Sequence, residues 1–286
     1  MAFPTYTKTF HTTTYPSISP TRKELSTAGK VILITGGGSG IGSRIAHAFA
    51  ASGSTSIAIL GRTETSLIST KESIEAQHPG AKVMALVADI VDRTAVHAAF
   101  DEVKIILGPI DIVVSNAGHM PSGSSISTAD VDEWFHGMEV NVKGNLILAQ
   151  AFLANAAKKP VLINVSAAGV HIPALPVPLS AYVVSKAAVV KLVEYFAAEN
   201  PGVRVMNVHP GAIDTGMAKR AKDAGLELPF DDIELPASFM VWAASPEAEF
   251  LRNKYMWANW DVDELKAQKE ELVSSPQLTI GLLGWP

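Results

Sequence analysis

Short apolar runs alternate with longer amphipathic stretches along most of the chain. Val31-Ile32-Leu33-Ile34 has no polar residue within it, the pattern of a strand buried on both faces. Similar runs recur at 56–60, 82–88, 111–115, 161–165, 203–208 and 255–258. Between them lie stretches with helical spacing of apolar positions, at about 41–52, up to 77, 93–107, 131–157 and 180–199. Breakers fall where these should end: His78-Pro79-Gly80, Gly108-Pro109 and Asn200-Pro201-Gly202. Pro236 suits the first turn of a short helix. An amphipathic charged stretch from 261 to about 273 predicts a last helix.

Strands alternating with helices predict an α/β fold, a single doubly wound domain with about seven parallel strands and helices on both faces. No internal repeat or linker interrupts it. The expected organisation is an extended N-terminal arm at 1–28, a catalytic unit at 29–260 and a C-terminal helix and tail at 261–286. Residues 212–236 are rich in breakers and read as an irregular insertion.

Composition narrows the chemistry. The 286 residues are 48% hydrophobic and 18% charged, enough to fill one large core rather than a disordered chain. A net charge of −5 argues against a nucleic-acid partner. With no cysteine, disulfides and thiolate catalysis are excluded, and a reducing, cytoplasmic setting is expected. The first twenty residues lack the apolar run of a secretion signal. Residues 160–185 carry no Asp, Glu, Lys or Arg, yet Pro173, Pro176 and Pro178 break them, so a strand, a loop and a helix start are expected there rather than a membrane span. No group of residues has metal-ligand spacing, so no metal is expected.

The candidate chemistry sits after the strands. Thr35-Gly36-Gly37-Gly38-Ser39-Gly40-Ile41-Gly42 joins the first strand to the first helix. Glycines there let backbone N–H groups approach a pyrophosphate at a helix N-terminus, although glycines also make ordinary loops. The second strand ends at Gly61-Arg62, with no acid to meet a ribose hydroxyl. An arginine fork suits a 2′-phosphate, which favours NADP(H) over NAD(H). The alternative is that Arg62 is a solvated cation and Glu64 meets the ribose. Tyr182 and Lys186, four apart, share one face of a helix start. An ammonium beside a phenol lowers its pKa from about 10, which would let Tyr182 exchange a proton with a carbonyl or alcohol oxygen. Alone, such a pair could equally be a surface contact.

Together with Asn116-Ala117-Gly118, Ser166 and Pro210-Gly211, all after successive strands, these motifs make the chain resemble the short-chain dehydrogenase/reductase family over about residues 28–260. The resemblance implies an oxidoreductase acting on a small, apolar or aromatic ketone, aldehyde or alcohol. It assigns catalysis to Asn141, Ser166, Tyr182 and Lys186. It assigns the dinucleotide to Gly36, Ser39, Gly40, Ile41, Arg62, Asp89, Ile90, Asn116, Ala117, Gly118, Tyr182, Lys186, Pro210, Gly211, Ile213 and Thr215. In it Asn141 corresponds to a residue that holds a water linked to the lysine. Without it, Asn141 and Ser166 would read as satisfied polar residues and Asp89 as a helix cap.

Ser166 stands about three residues farther from Tyr182 than the family pattern has it. A bulge within 170–179 accounts for that. Substrate contacts are expected from Ser166, His171, Ile172 and Met217, in a pocket also offering Met120, Leu175, Val177 and Phe230. His119 and His209 are expected near its mouth as hydrogen-bonding wall residues. Thr12-Thr13-Thr14-Tyr15-Pro16 and Trp257-Ala258-Asn259-Trp260-Asp261 are similar to fungal members of the family associated with secondary metabolism. Family members pair through helices matching 131–157 and 180–199, which implies a homodimer or homotetramer. Two rival functions remain: a dinucleotide-binding regulator, and a non-redox cyclase or isomerase on the same fold.

Overall fold

A computed structural model describes residues 5–282. Seven strands form one parallel sheet: β1 (Val31–Thr35), β2 (Ser56–Gly61), β3 (Lys82–Val87), β4 (Ile110–Ser115), β5 (Ala156–Val165), β6 (Arg204–His209) and β7 (Tyr255–Trp257). Their order is β3-β2-β1-β4-β5-β6-β7. The chain therefore runs outward from β1 in one direction, then returns to β4 and runs outward in the other. The crevice at that reversal, at the carboxyl ends of β1 and β4, is where such sheets bind ligands.

The central strand β1 is apolar from Val31 to Ile34 because it is covered on both sides. In β1, Ile32 and Ile34 face a core with Phe49 and Trp242, while Val31 and Leu33 face another with Phe100 and Phe152. The first core lies under α1 (Gly40–Ala51), α2 (Glu64–Gln77) and α8 (Glu234–Ala244). The second lies under α3 (Arg93–Ile106), α5 (Gly144–Asn155) and α6 (Ser180–Glu199).

Local details depart from the sequence reading. The helix expected over 131–157 is divided into α4 (Val131–Met138), a π turn at Glu139–Lys143, and α5. Its end is earlier too, since β5 already starts at Ala156. The insertion is not wholly irregular, because Thr215 caps a helix, α7 (Gly216–Asp223), by accepting from the Ala218 N–H. Pro236 is the third residue of α8, within the first turn, where its missing N–H costs no helical hydrogen bond. The terminal helix is two, α9 (Val262–Ala267) and α10 (Lys269–Ser274), parted at Gln268.

The arm lies across the C-terminal segment. His11 and Asn259 exchange hydrogen bonds at 2.8 and 2.9 Å, and Glu264 accepts from the Lys8 and Thr9 N–H groups. Phe10 forms an antiparallel bridge with Trp260. Two short 3-10 turns, Pro16–Ile18 and Lys23–Leu25, bury Ile18 and Leu25 in the core. Residues 1–4 of the expected arm and 283–286 of the tail lie outside the described residues.

Candidate active site

The glycine turn is held by its neighbour. Thr35 Oγ1 accepts from the Asn116 and Ala117 N–H groups, and Asn116 Nδ2 donates to Thr35 O at 2.9 Å. Gly36 has φ +67°, and a Cβ there would stand 2.8 Å from Asn116 Nδ2. Only glycine tolerates both demands. No side chain caps α1 at Ser39, so the N–H groups of its first turn stay open to a ligand.

These residues wall a cleft of about 400 Å³ at the reversal point. It is lined by Gly36, Ser39, Gly40, Ile41, Arg62, Asp89, Ile90, Asn116, Ala117, Gly118, Pro210 and Thr215, with Ser166, Tyr182 and Lys186 at its inner end. Arg62 (68% exposed) and Asp89 (41% exposed) face each other at 3.8 Å across its mouth. Two expected cofactor residues lie elsewhere. Ile213 is buried, and Gly211 lines a second cavity.

The cleft fits an extended dinucleotide. Its uncapped helix start suits a pyrophosphate. Gly118 lacks a Cβ that would come within 3.3 Å of Asn141 Oδ1 and 3.4 Å of Lys186 Nζ, and so keeps the inner end open.

The π turn explains Asn141. Widening the helix frees its side chain to accept from the His119 N–H at 2.8 Å and to donate to His119 O and Ser185 Oγ, each at 2.8 Å. Ser185 Oγ in turn donates to Tyr182 O. Asn141 thus ties the loop after β4 to the first turn of α6. Asn145 Nδ2 supplies a donor to Asn141 O at 2.6 Å.

Lys186 Nζ donates to Val165 O at 2.8 Å and lies 5.9 Å from the centre of the Tyr182 ring. Burial pushes Lys186 down to about 8. Burial also pushes the Tyr182 phenol up, contrary to the expected lowering, because desolvation dominates and the ammonium is engaged elsewhere. Ser166 Oγ is buried with no hydrogen-bond partner of good geometry. It faces the Tyr255 phenol, whose proton goes to Ala167 O at 2.8 Å.

Tyr182 also lines the second cavity, of about 1460 Å³. The long 170–179 loop forms one wall, with Ile172, Leu175 and Val177. Met120 and Phe230 line it as expected from the sequence, whereas Met217 lies in the cofactor cleft. His171 lines neither space; its Nε2 accepts from Trp257 Nε1 at 2.8 Å, so it props the wall from behind. His119 lines the cleft and His209 the larger cavity. Sequence reasoning missed Ser185, Asp231, Trp257 and Asn259, and the arm residues Phe10 and Thr12, which also line the larger cavity. Of these, Thr12 lies in the Thr12–Pro16 motif, Trp257 and Asn259 in the Trp257–Asp261 motif, and Asp231 in the 212–236 insertion.

Among the described residues no helix is long and apolar enough to cross a membrane, and no cluster of three or more metal-ligating side chains is present. The short chain dehydrogenase family profile matches residues 30–225. A short chain dehydrogenase/reductase of Claviceps purpurea is 36% identical over 99% of this chain and 96% of its own length. Another, from Aspergillus aculeatus, is 37% identical over 99% and 98%. A Burkholderia cenocepacia short chain dehydrogenase solved in complex with NADP superimposes with a TM-score of 0.71 at 25% identity, over 82% of this chain and 98% of its own.

Proposed function

The chain belongs to the short-chain dehydrogenase/reductase family and is an oxidoreductase, and on that premise we propose an NADP(H)-dependent enzyme that interconverts an apolar ketone or aldehyde and its alcohol, with Tyr182 as general acid and base. One observation carries this reading: Tyr182 alone among the four catalytic candidates lines both the cofactor cleft and the apolar cavity. A substrate oxygen reaching Tyr182 from the cavity side therefore meets its proton donor where the cleft opens.

When bound, the nicotinamide supplies or accepts the hydride. The chain's own residues handle the oxygen. In reduction Tyr182 Oη gives its proton to the developing alkoxide, and Ser166 Oγ, buried beside the Tyr255 phenol, donates a hydrogen bond to it. Lys186 places a buried positive charge beside the phenol and steadies the phenolate left behind. Asn141 is a positioning residue that fixes the α6 turn bearing Tyr182 through Ser185. Arg62, beside a strand end without an acid, supports NADPH through its guanidinium fork. Residues 29–260 serve as the catalytic unit, and the arm adds Phe10 and Thr12 to the wall of its larger cavity. Exposed Phe135, Leu146, Leu153 and Tyr195 on α4, α5 and α6 support a homodimer or homotetramer, and the absence of cysteine supports a cytoplasmic setting.

Titration with NADPH and NADH, followed by cofactor fluorescence, tests the cofactor. Tighter NADPH binding that is lost in Arg62→Ala is expected; equal or tighter NADH binding overturns the Arg62 assignment. Turnover of Tyr182→Phe is expected to fall by about 10²–10⁴-fold with cofactor affinity retained. Unchanged turnover would remove Tyr182 from the mechanism.

A further inference from the structure

The larger cavity, at about 1460 Å³, exceeds the roughly 300–1,000 Å³ usual for small-molecule sites. The N-terminal arm forms part of its wall, with Phe10 and Thr12 lining it. The arm is fixed to the cavity wall through Thr12 O, which accepts from the Asp232 N–H at 2.8 Å. Most of the lining is apolar or small, and no lysine or arginine faces in.

Apart from Tyr182, two titratable residues line the space: Asp231 and His209. Asp231 is committed to the wall. Its Oδ2 accepts from the Ala212 N–H at 2.9 Å, and Asn259 bonds it as well. His209 is committed on one side only. Its Nδ1 accepts from the Ala168 N–H at 3.2 Å, which puts the ring proton on Nε2. Burial keeps the ring neutral. Trp257 packs edge-on against it at 4.5 Å and fixes its plane. Among the described residues no acceptor meets Nε2–H.

Register places this donor near the chemistry. Val165 pairs with Val208, so His209 on β6 lies beside Ser166 at the end of β5, one strand spacing of about 4.8 Å away. A second oxygen on the substrate, a few bonds from the reacting one, would meet it.

We propose that the cavity takes a bulky, uncharged ketone or alcohol of two or more rings with a second oxygen acceptor close to the reacting oxygen, and that His209 Nε2–H is the residue that selects it. This rests on the oxidoreductase reading only for which oxygen reacts. A ligand without the second oxygen leaves a buried N–H unpaired, a penalty of about tenfold in affinity.

Benzil and deoxybenzoin share two phenyl rings and differ by that oxygen; acetophenone has one ring. Their binding is read by quenching of tryptophan fluorescence with oxidised cofactor present, so that no reduction occurs. Benzil is expected to bind at least tenfold tighter than deoxybenzoin, and deoxybenzoin at least tenfold tighter than acetophenone. His209→Leu should bring the benzil-to-deoxybenzoin ratio within threefold of one, and His209→Gln, which keeps an N–H donor, should restore part of it. Deoxybenzoin binding by each variant reports an intact cavity. The same ratio in wild type and His209→Leu, acetophenone binding as tightly as the two-ring ketones, or no binding of either two-ring ketone would overturn the proposal. The selectivity without cofactor-linked reduction of any probe would count against Tyr182-dependent ketone reduction at this site and leave this inference standing.

Discussion

Gly42, the third residue of α1, packs against the turn it follows. A Cβ added there would lie 2.3 Å from Gly36 O and 2.5 Å from Asn116 Nδ2. An unstrained carbon-to-oxygen approach is about 3.3 Å, so Gly42→Ala must drive the turn back by about 1 Å. The turn cannot yield freely, because Gly36 N donates to Leu60 O at 2.7 Å and Asn116 Nδ2 to Thr35 O at 2.9 Å. Overpacking of this kind costs about 1–3 kcal/mol and loss of the Asn116 bond about 1 kcal/mol more. The gain in helix propensity offsets about 1 kcal/mol. The net loss of about 1–3 kcal/mol corresponds to a Tm lower by about 2–6 °C for a chain of this size. Because the displaced N–H groups are those left open at the start of α1, NADPH affinity should also fall at least tenfold. Gly216→Ala is the control for stability: nothing lies within 4 Å of its added Cβ, and its Tm should stay within about 1 °C of wild type. Thermal unfolding and NADPH fluorescence titration measure both quantities. A Gly42→Ala variant with wild-type Tm and affinity within threefold would refute the claim that this contact sets the phosphate turn.

Three further outcomes are expected. Asn141→Ala removes three hydrogen bonds joining the β4 loop to α6 and should cost about 2–4 kcal/mol in urea unfolding, with kcat falling while cofactor affinity holds; an unchanged kcat would deny it a positioning role. His209, pushed down to about 3 by burial, is neutral in the fold and takes a proton on unfolding below its ordinary value of about 6.5. Stability is therefore present above pH 6.5 and lost as pH falls toward 3; from pH 7 to 5 this one group removes about 2 kcal/mol, and His209→Leu should show an acid loss smaller by that amount in urea midpoints. Deleting residues 1–13 strips Asn259 and the Asp232 N–H of their arm partners and should lower stability by about 3 kcal/mol, read by urea unfolding, an effect that a loosely attached arm would not produce.

Much of this architecture was legible because it is dictated locally. A strand covered on both faces must be apolar where both cores pack on it, as from Val31 to Ile34 in β1, and a phosphate turn must be built from glycines wherever a neighbour such as Asn116 closes on it. The Tyr182–Lys186 spacing is helical geometry alone. What stayed hidden depends on residues far apart in sequence. His171 reads as a pocket histidine until Trp257, 86 positions on, claims its Nε2. Phe10 and Thr12 read as part of an extended arm, with nothing local to say what it covers, until hydrogen bonds with Asn259 and Asp232 fix it beside the cavity. The π turn that frees Asn141 leaves no periodicity of its own within a helical stretch.

The Tyr182–Lys186 pair shows why spacing cannot stand in for environment. Four residues on one helix face bring the groups near each other, and near each other in water would lower the phenol's pKa. Here both are desolvated, and the ammonium spends a hydrogen bond on Val165 O. Burial then acts on each group separately, pushing Tyr182 up and Lys186 down to about 8. A phenol held protonated can give its proton to an alkoxide, but the raised pKa that holds it there also makes it a weaker acid, so the transfer depends on the Lys186 charge that steadies the phenolate. A lysine poised near 8 loses its charge as pH rises past that value, and with it the stabilisation of the phenolate. Reduction should accordingly weaken above pH 8, more steeply than a free tyrosine with a pKa of about 10 would dictate. A profile flat to pH 9.5 would show that Lys186 does not govern Tyr182.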